Sequence, residues 1–297
     1  MKKKIKFSMQ GRRADIGKIT IHRLLPNQYA NAVGPLVFLD HFGPTKHAAD
    51  EPVQRNGNGA HPHRGISTLT YVLNGEEEHF DSRGNYGKIN SGGVQWMKAG
   101  NGIVHDGNLN VDPQTRDLLT HGFQFWINLP SKNKIDAPEH LAIQAEDVPR
   151  QPLNSNKGWL KVIVGEYETL LSKIPTYSKQ FIYHVHLEAG QQYLLETKDD
   201  LEYAAFLPLH SAVINDTETA KGELTVFAQD EGAIEISNPS NEAIEIILFG
   251  GAKYTEPIVF GGPFVMNSEA EIALAYQDFH SGKYGKVTFR GMEKATQ

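Results

Sequence analysis

Residues His61 to Asn108 read HPHRGISTLTYVLNGEEEHFDSRGNYGKINSGGVQWMKAGNGIVHDGN, and this stretch decides both the fold and the chemistry. His61 and His63 are one residue apart, so an extended strand points both imidazoles to one face. His105 closes the run Trp96-Met-Lys-Ala-Gly-Asn-Gly-Ile-Val-His105, whose glycine-rich middle predicts a turn into a strand beside the first. Three neutral imidazoles converging in a small barrel suit a divalent transition metal, and imidazole accepts iron, copper, nickel and zinc alike. The sequence therefore predicts a metal site at His61, His63 and His105 before it predicts a reaction.

Around these residues the strand signals are dense. Thr68 to Leu73 is β-branched and aromatic and ends at Asn74-Gly75, a hairpin signal. The acidic run Glu76-Glu77-Glu78 reads as the solvated face of the return strand. Turns follow at Asp81 to Asn85 and at Gly92-Gly93, before Val94 to Met97. Short strands at such spacing predict an antiparallel sandwich or barrel. Upstream, Lys18 to Phe42 has the same character, with His41 either near the site or a loop anchor, and Ala48 to Ala60 reads as an entry loop. Downstream, His121 to Pro130 alternates Phe123, Phe125 and Ile127 against Gln124, Trp126 and Asn128, leaving open which face is inward.

Proline-rich sequence from Ser131 to Asn156 has little strand pattern, and its later part is expected to be a linker. A second series of strands follows, at Trp159 to Val164, Phe181 to Leu187, Tyr203 to Leu207, Leu224 to Phe227, Ala233 to Ile236 and Ala243 to Phe249. This half has its own pair, His184 and His186, but without a suitable third ligand it reads as an architectural echo. Ser268 to Phe279 is helical, with Ser268 and Glu271 forming a capping box, and is expected to cover a barrel or sheet edge. The expected fold class is all-β, with one domain over 1–150 carrying the metal site and another over 151–297 carrying the helix.

Bulk composition narrows the function. The chain has 297 residues, a formal net charge of −6 and no basic stripe, which argues against nucleic-acid binding. Lys2 to Lys4 precede no apolar core of a signal peptide, and no stretch has the length of a membrane-spanning helix. A cytoplasmic protein is the default expectation. With no cysteine, any metal must be held by nitrogen and oxygen.

At HPHRG (His61 to Gly65), QWMKAGNGIVH (Gln95 to His105), HGFQFWINLP (His121 to Pro130) and GGPFVMN (Gly261 to Asn267), the sequence closely resembles the pirin family of bicupins. The resemblance covers nearly the whole chain in the same order. It implies two cupin-type antiparallel β-barrels (jelly rolls) face to face, with a mononuclear metal, usually iron, in the first. Members are described as quercetin 2,3-dioxygenases that open a flavonol ring with molecular oxygen, and others as non-enzymatic, redox-sensitive partners of transcription regulators. An aromatic small molecule with O2, or a protein partner, is accordingly implied. Fe(II) is the leading metal, with Zn, Cu, Ni, Mn and Co also compatible.

The family's histidine ligands fall on His61, His63 and His105, but its carboxylate ligand falls on Gly107. The glutamate offered by the general cupin pattern falls on Ser67 or Thr68. On a regular strand His105 and Gly107 face inward and Asp106 outward; a bulge at Gly107 would turn Asp106 in, making it the one candidate for a catalytic carboxylate.

Overall fold

A computed structural model describes residues 1–15, 19–48, 59–115, 117–153 and 157–289. Contacts group the chain into two compact units, one of residues 1–41 with 146–254, the other of 42–145 with 255–297. The passage at 145/146 lies near the expected boundary at 150. The first 41 residues and the C-terminal helix nevertheless belong to units other than those a contiguous division gives them.

The first unit has a seven-stranded sheet in the order Ile5–Gln10, Glu223–Phe227, Leu201–Phe206, Ile244–Ala252, Gln180–Leu187, Gly158–Val164 and Arg150–Pro152. A four-stranded sheet of Gln192–Glu196, Ala233–Ser237, Ala212–Ile214 and Thr217–Thr219 accompanies it. Inward residues alternate with outward ones, so Leu160, Val162, Tyr183, Val185, Ile234 and Ile246 meet in one apolar core. His41 is buried here with its ring 5.2 Å from that of Phe206, as a packing residue.

The second unit builds the other barrel. One sheet contains, in order, Glu139–Ile143, Val94–Lys98, Ile66–Asn74 and Leu119–Asn128; the other contains His61–His63, Ile103–Asn110, Glu76–Asp81 and Tyr86–Ile89. Asn74-Gly75 is not a hairpin turn: Ile66–Asn74 pairs with Val94–Lys98 and Leu119–Asn128, while Glu76–Asp81 pairs with Ile103–Asn110 and Tyr86–Ile89. Gly75, at φ +120°, carries the chain from one sheet to the other. The 131–156 stretch, expected to have little strand pattern, also contains a strand, Glu139–Ile143, paired residue for residue with Val94–Lys98. Its final residues 154–156, and most of the expected entry loop, lie outside the described residues.

The helix Glu269–His280 starts at Ser268, whose Oγ accepts the Glu271 backbone N–H, while Glu271 Oε2 accepts that of Asn267. It belongs with the 42–145 segment for visible reasons. Ile272 and Ala275 pack in a cluster with Val104, Phe264 and Tyr284, and Arg64 pairs with Asp278 at 2.8 Å. Lys134, 2 % exposed, donates from Nζ to the Gly65 and Val265 carbonyls at 2.8 Å and to Asn128 Oδ1 at 2.5 Å. No helix among the described residues is long and apolar enough to cross a membrane.

Candidate metal centre

The strands His61–His63 and Ile103–Asn110 run antiparallel, with His105 opposite His61 and Ile103 opposite His63. Alternation puts His61, His63 and His105 on one face, where a ligand atom from each lies within 4.8 Å of the others. His61 Nε2 and His105 Nε2 are 3.1 Å apart. Two nitrogens bonded about 2.1 Å from one ion at right angles stand about 3 Å apart, so the spacing fits a shared metal.

The backbone also presets the donor atoms. His61 Nδ1 bonds the Gly59 carbonyl at 2.6 Å and His63 Nδ1 that of Pro263 at 2.9 Å. A carbonyl only accepts, so each Nδ1 carries the proton and each Nε2 keeps its lone pair. Burial, and then the neighbouring His61 charge, lowers His63 to about 3. The same causes hold His105 well below its ordinary value, with His63, His79 and His140 adding to them. Both rings are therefore neutral near pH 7, the form a metal requires. Among the described residues, the donor set fits a divalent transition metal at this one group of three side chains.

Strand geometry answers the question left open at Asp106. Pairing with Glu76–Asp81 runs without a register shift from His105 to Asn110, so no bulge turns Asp106 inward. Asp106 is 1 % exposed on the opposite face from His105, burial raises its carboxyl, and Oδ2 has no hydrogen-bond partner. Thr68, at one alternative carboxylate position, lines the inner face opposite Trp126, whose ring lies 5.0 Å from that of His63. Gln124 and Trp126 thus belong to the site face, while Phe123, Phe125 and Ile127 are buried on the other side of their strand.

Several inner residues escaped the sequence reading. His79 stacks on His140 at 4.3 Å and lies 5.4 Å from the His105 ring, while its Nε2 is 3.2 Å from Asp81 Oδ2. Burial pushes Asp81 upward, but hydrogen bonds from His79, Asn85 and Arg83 outweigh it and leave the carboxyl at about 2. His140, lowered to about 4 by burial and the His79 charge, hydrogen-bonds Gln95. Its only sequence cue is alternation with Ala142 in a segment whose prolines mask the strand.

Glu77 contradicts the solvated-face reading of the acidic run: its carboxylate is inside. Oε1 accepts the Thr70 hydroxyl at 3.0 Å, and Thr70 in turn contacts Gln124 Oε1 at 3.0 Å. Burial, only partly offset by Thr70, pushes Glu77 up to about 8. Glu76 and Glu78 are buried too, the former paired with Lys88 at 2.5 Å and the latter accepting from Tyr86 at 2.9 Å.

In the other unit, His184 Nε2 and His186 Nδ1 bond the two oxygens of Glu245 at 2.6 and 2.7 Å. A single carboxylate engages both rings, and Trp159 stacks on His186 at 5.1 Å.

Comparison with known proteins agrees with this architecture. The Pirin family profile matches residues 18–127, and that of the Pirin C-terminal cupin domain matches residues 182–285. A Pseudomonas aeruginosa protein named "Putative quercetin 2,3-dioxygenase" is 33% identical over 260 residues, covering 87% of this chain and 89% of its own. A tomato (Solanum lycopersicum) pirin-like protein is 33% identical over 254 residues, covering 84% of this chain and 82% of its own. The crystal structure of quercetin 2,3-dioxygenase from Acinetobacter baumannii superposes with a TM-score of 0.87 at 28% identity, covering 97% of this chain and 100% of that one. Two matched domains in order, on a two-barrel chain, leave one assignment: the protein belongs to the pirin family.

Proposed function

We propose that this pirin is a metal-dependent dioxygenase of the quercetin 2,3-dioxygenase type, acting on a flavonol-like polyphenol with molecular oxygen. The observation that carries the reading is the convergence of His61, His63 and His105, with two of the three imidazoles fixed by backbone carbonyls in the metal-binding tautomer. Fe(II) is the leading ion; Zn, Cu, Ni, Mn and Co suit the same nitrogens. The substrate class comes from the names of the Pseudomonas and Acinetobacter relatives.

When bound, the metal supplies Lewis acidity and redox chemistry toward a chelating substrate and oxygen. The protein's own part is to hold and orient. Trp126 provides an aromatic wall beside His63, while Thr70, Gln124 and Gln95 give polar anchors on the facing strands. His79 and His140 stack on each other behind His105, and burial, with the His79 charge, lowers His140 to about 4.

Elemental analysis of protein reconstituted anaerobically with ferrous iron, followed by oxygen uptake with quercetin, tests the reading. Wild type is expected to hold about one metal per chain and consume oxygen, whereas His61→Ala and His105→Ala fold but lose at least about tenfold in metal affinity and lose turnover. Metal retained in both variants defeats the proposed centre. Metal bound through these histidines without oxygen uptake favours the redox-sensing, partner-binding role instead.

A further inference from the structure

The inner face of the second unit holds a carboxylate oxygen with no partner. Glu77 Oε1 accepts from Thr70, but Oε2 is buried without a hydrogen bond, and among the described residues no cationic side chain pairs with it. Buried polar atoms are ordinarily satisfied, and an ionised one without a partner is costly, so Oε2 calls for an occupant that the protein chain does not provide.

Gly107 gives the second observation. It lies two residues beyond His105 on the same face, opposite His79, while Leu109 lies opposite Glu77. A Cβ at position 107 would find Glu77 Oε1 as its nearest neighbour, at 3.5 Å, and the Glu78 carbonyl next, at 3.8 Å. The Glu77 carboxylate thus leans from its place opposite Leu109 toward position 107 and stands against the volume into which a side chain there would grow. Glycine at 107 leaves that volume open.

The geometry points to Glu77 as the carboxylate of the three-histidine centre, contributed from the neighbouring strand in place of a side chain at position 107. This rests on His61, His63 and His105 being the metal ligands. A carboxylate here offsets part of a divalent ion's charge and shifts an all-nitrogen donor set toward the harder ions, iron and manganese. Thr70 holds Oε1 and so fixes the orientation of the carboxylate.

The position at 107 turns this into a test with a change of sign. A glutamate placed there alone brings a second carboxylate against Glu77, whereas in a Glu77→Gln background it restores the missing charge. Anaerobic competition with a chelator measures iron(II) and cobalt(II) affinity of the full chain, with the visible spectrum of the cobalt form as a second readout. Glu77→Gln, which keeps the acceptor for Thr70, is expected to fold by circular dichroism, to bind both metals about 10- to 100-fold more weakly and to shift the cobalt bands. Gly107→Glu alone lowers affinity; added to Glu77→Gln, it raises affinity by at least about tenfold. Wild-type affinity and spectrum in Glu77→Gln, with metal lost in His105→Ala, overturn the role of Glu77 while leaving the centre intact. Metal retained in His105→Ala removes the centre and the role of Glu77 with it.

Discussion

At the scale of single residues, the three histidines were legible because their signal is local. One intervening residue fixes a shared face, and the glycine turn before Ile103 brings His105 opposite His61. Glu77 was hidden by its neighbours. Three consecutive glutamates look solvated, and only the crossing at Gly75 turns their strand into a barrel wall with one carboxylate inside. That burial has a pH signature in the metal-free protein. The folded carboxyl sits at about 8, above its ordinary 4.5, so the folded state keeps a proton that the unfolded chain has released. Stability from this group is fully present below the unfolded value and is lost as pH rises through about 8. His63 and His105, both lowered, act in the opposite sense, but that effect ends near pH 6.5. Between about pH 6.5 and 8, with chelator present, the urea-unfolding free energy of wild type relative to Glu77→Gln is therefore expected to fall by at most about 1.4 kcal/mol per pH unit, while Lys134, lowered to about 7 by burial, acts in the opposite sense in both proteins.

Among elements, the strands with β-branched runs were readable, as was the helix with its cap. The strand Glu139–Ile143 was not, because Pro138 and Pro149 make its surroundings look like a linker and three of its residues are exposed. Its position is set by pairing with Val94–Lys98, a tertiary constraint that local propensity does not encode. The cap is directly testable: Ser268→Ala removes the acceptor for the Glu271 N–H and is expected to cost about 1 kcal/mol in urea unfolding, with faster amide exchange in the first helical turn. A larger effect is expected at Gly65, the end of the HPHRG segment. It has φ +81°, and a Cβ there would collide with the Val265 carbonyl oxygen. Gly65→Ala is therefore expected to lower the melting temperature by several degrees and to reduce metal content, measured by calorimetry and elemental analysis.

For the whole chain, fold class and the pair of barrels followed from strand spacing and resemblance, but the assignment of the terminal segments to their units did not. Composition and periodicity are local, whereas the ties that decide membership are far apart in sequence: Arg64 with Asp278, Lys134 Nζ with the Val265 carbonyl, and His63 Nδ1 with that of Pro263. A chain ending at Tyr254 lacks all three partners and leaves Val104 without Phe264, Ile272 and Tyr284. It is expected to purify without metal and to show loss of amide protection across Ile103–Asn110 while the strands of the first unit stay protected, as hydrogen exchange resolves unit by unit.

The bond from His63 to Pro263 also sets a schedule. The two residues are 200 positions apart, and the entire 146–254 segment lies between them. At about 5–20 residues per second, a ribosome needs roughly 10–40 s to cover that distance. During that interval His63 has emerged without the carbonyl that fixes its proton, so the nascent chain presents an unset imidazole. The proton on His63 Nδ1 is therefore fixed only once the Pro263 segment has been made, about 200 residues after His63 itself.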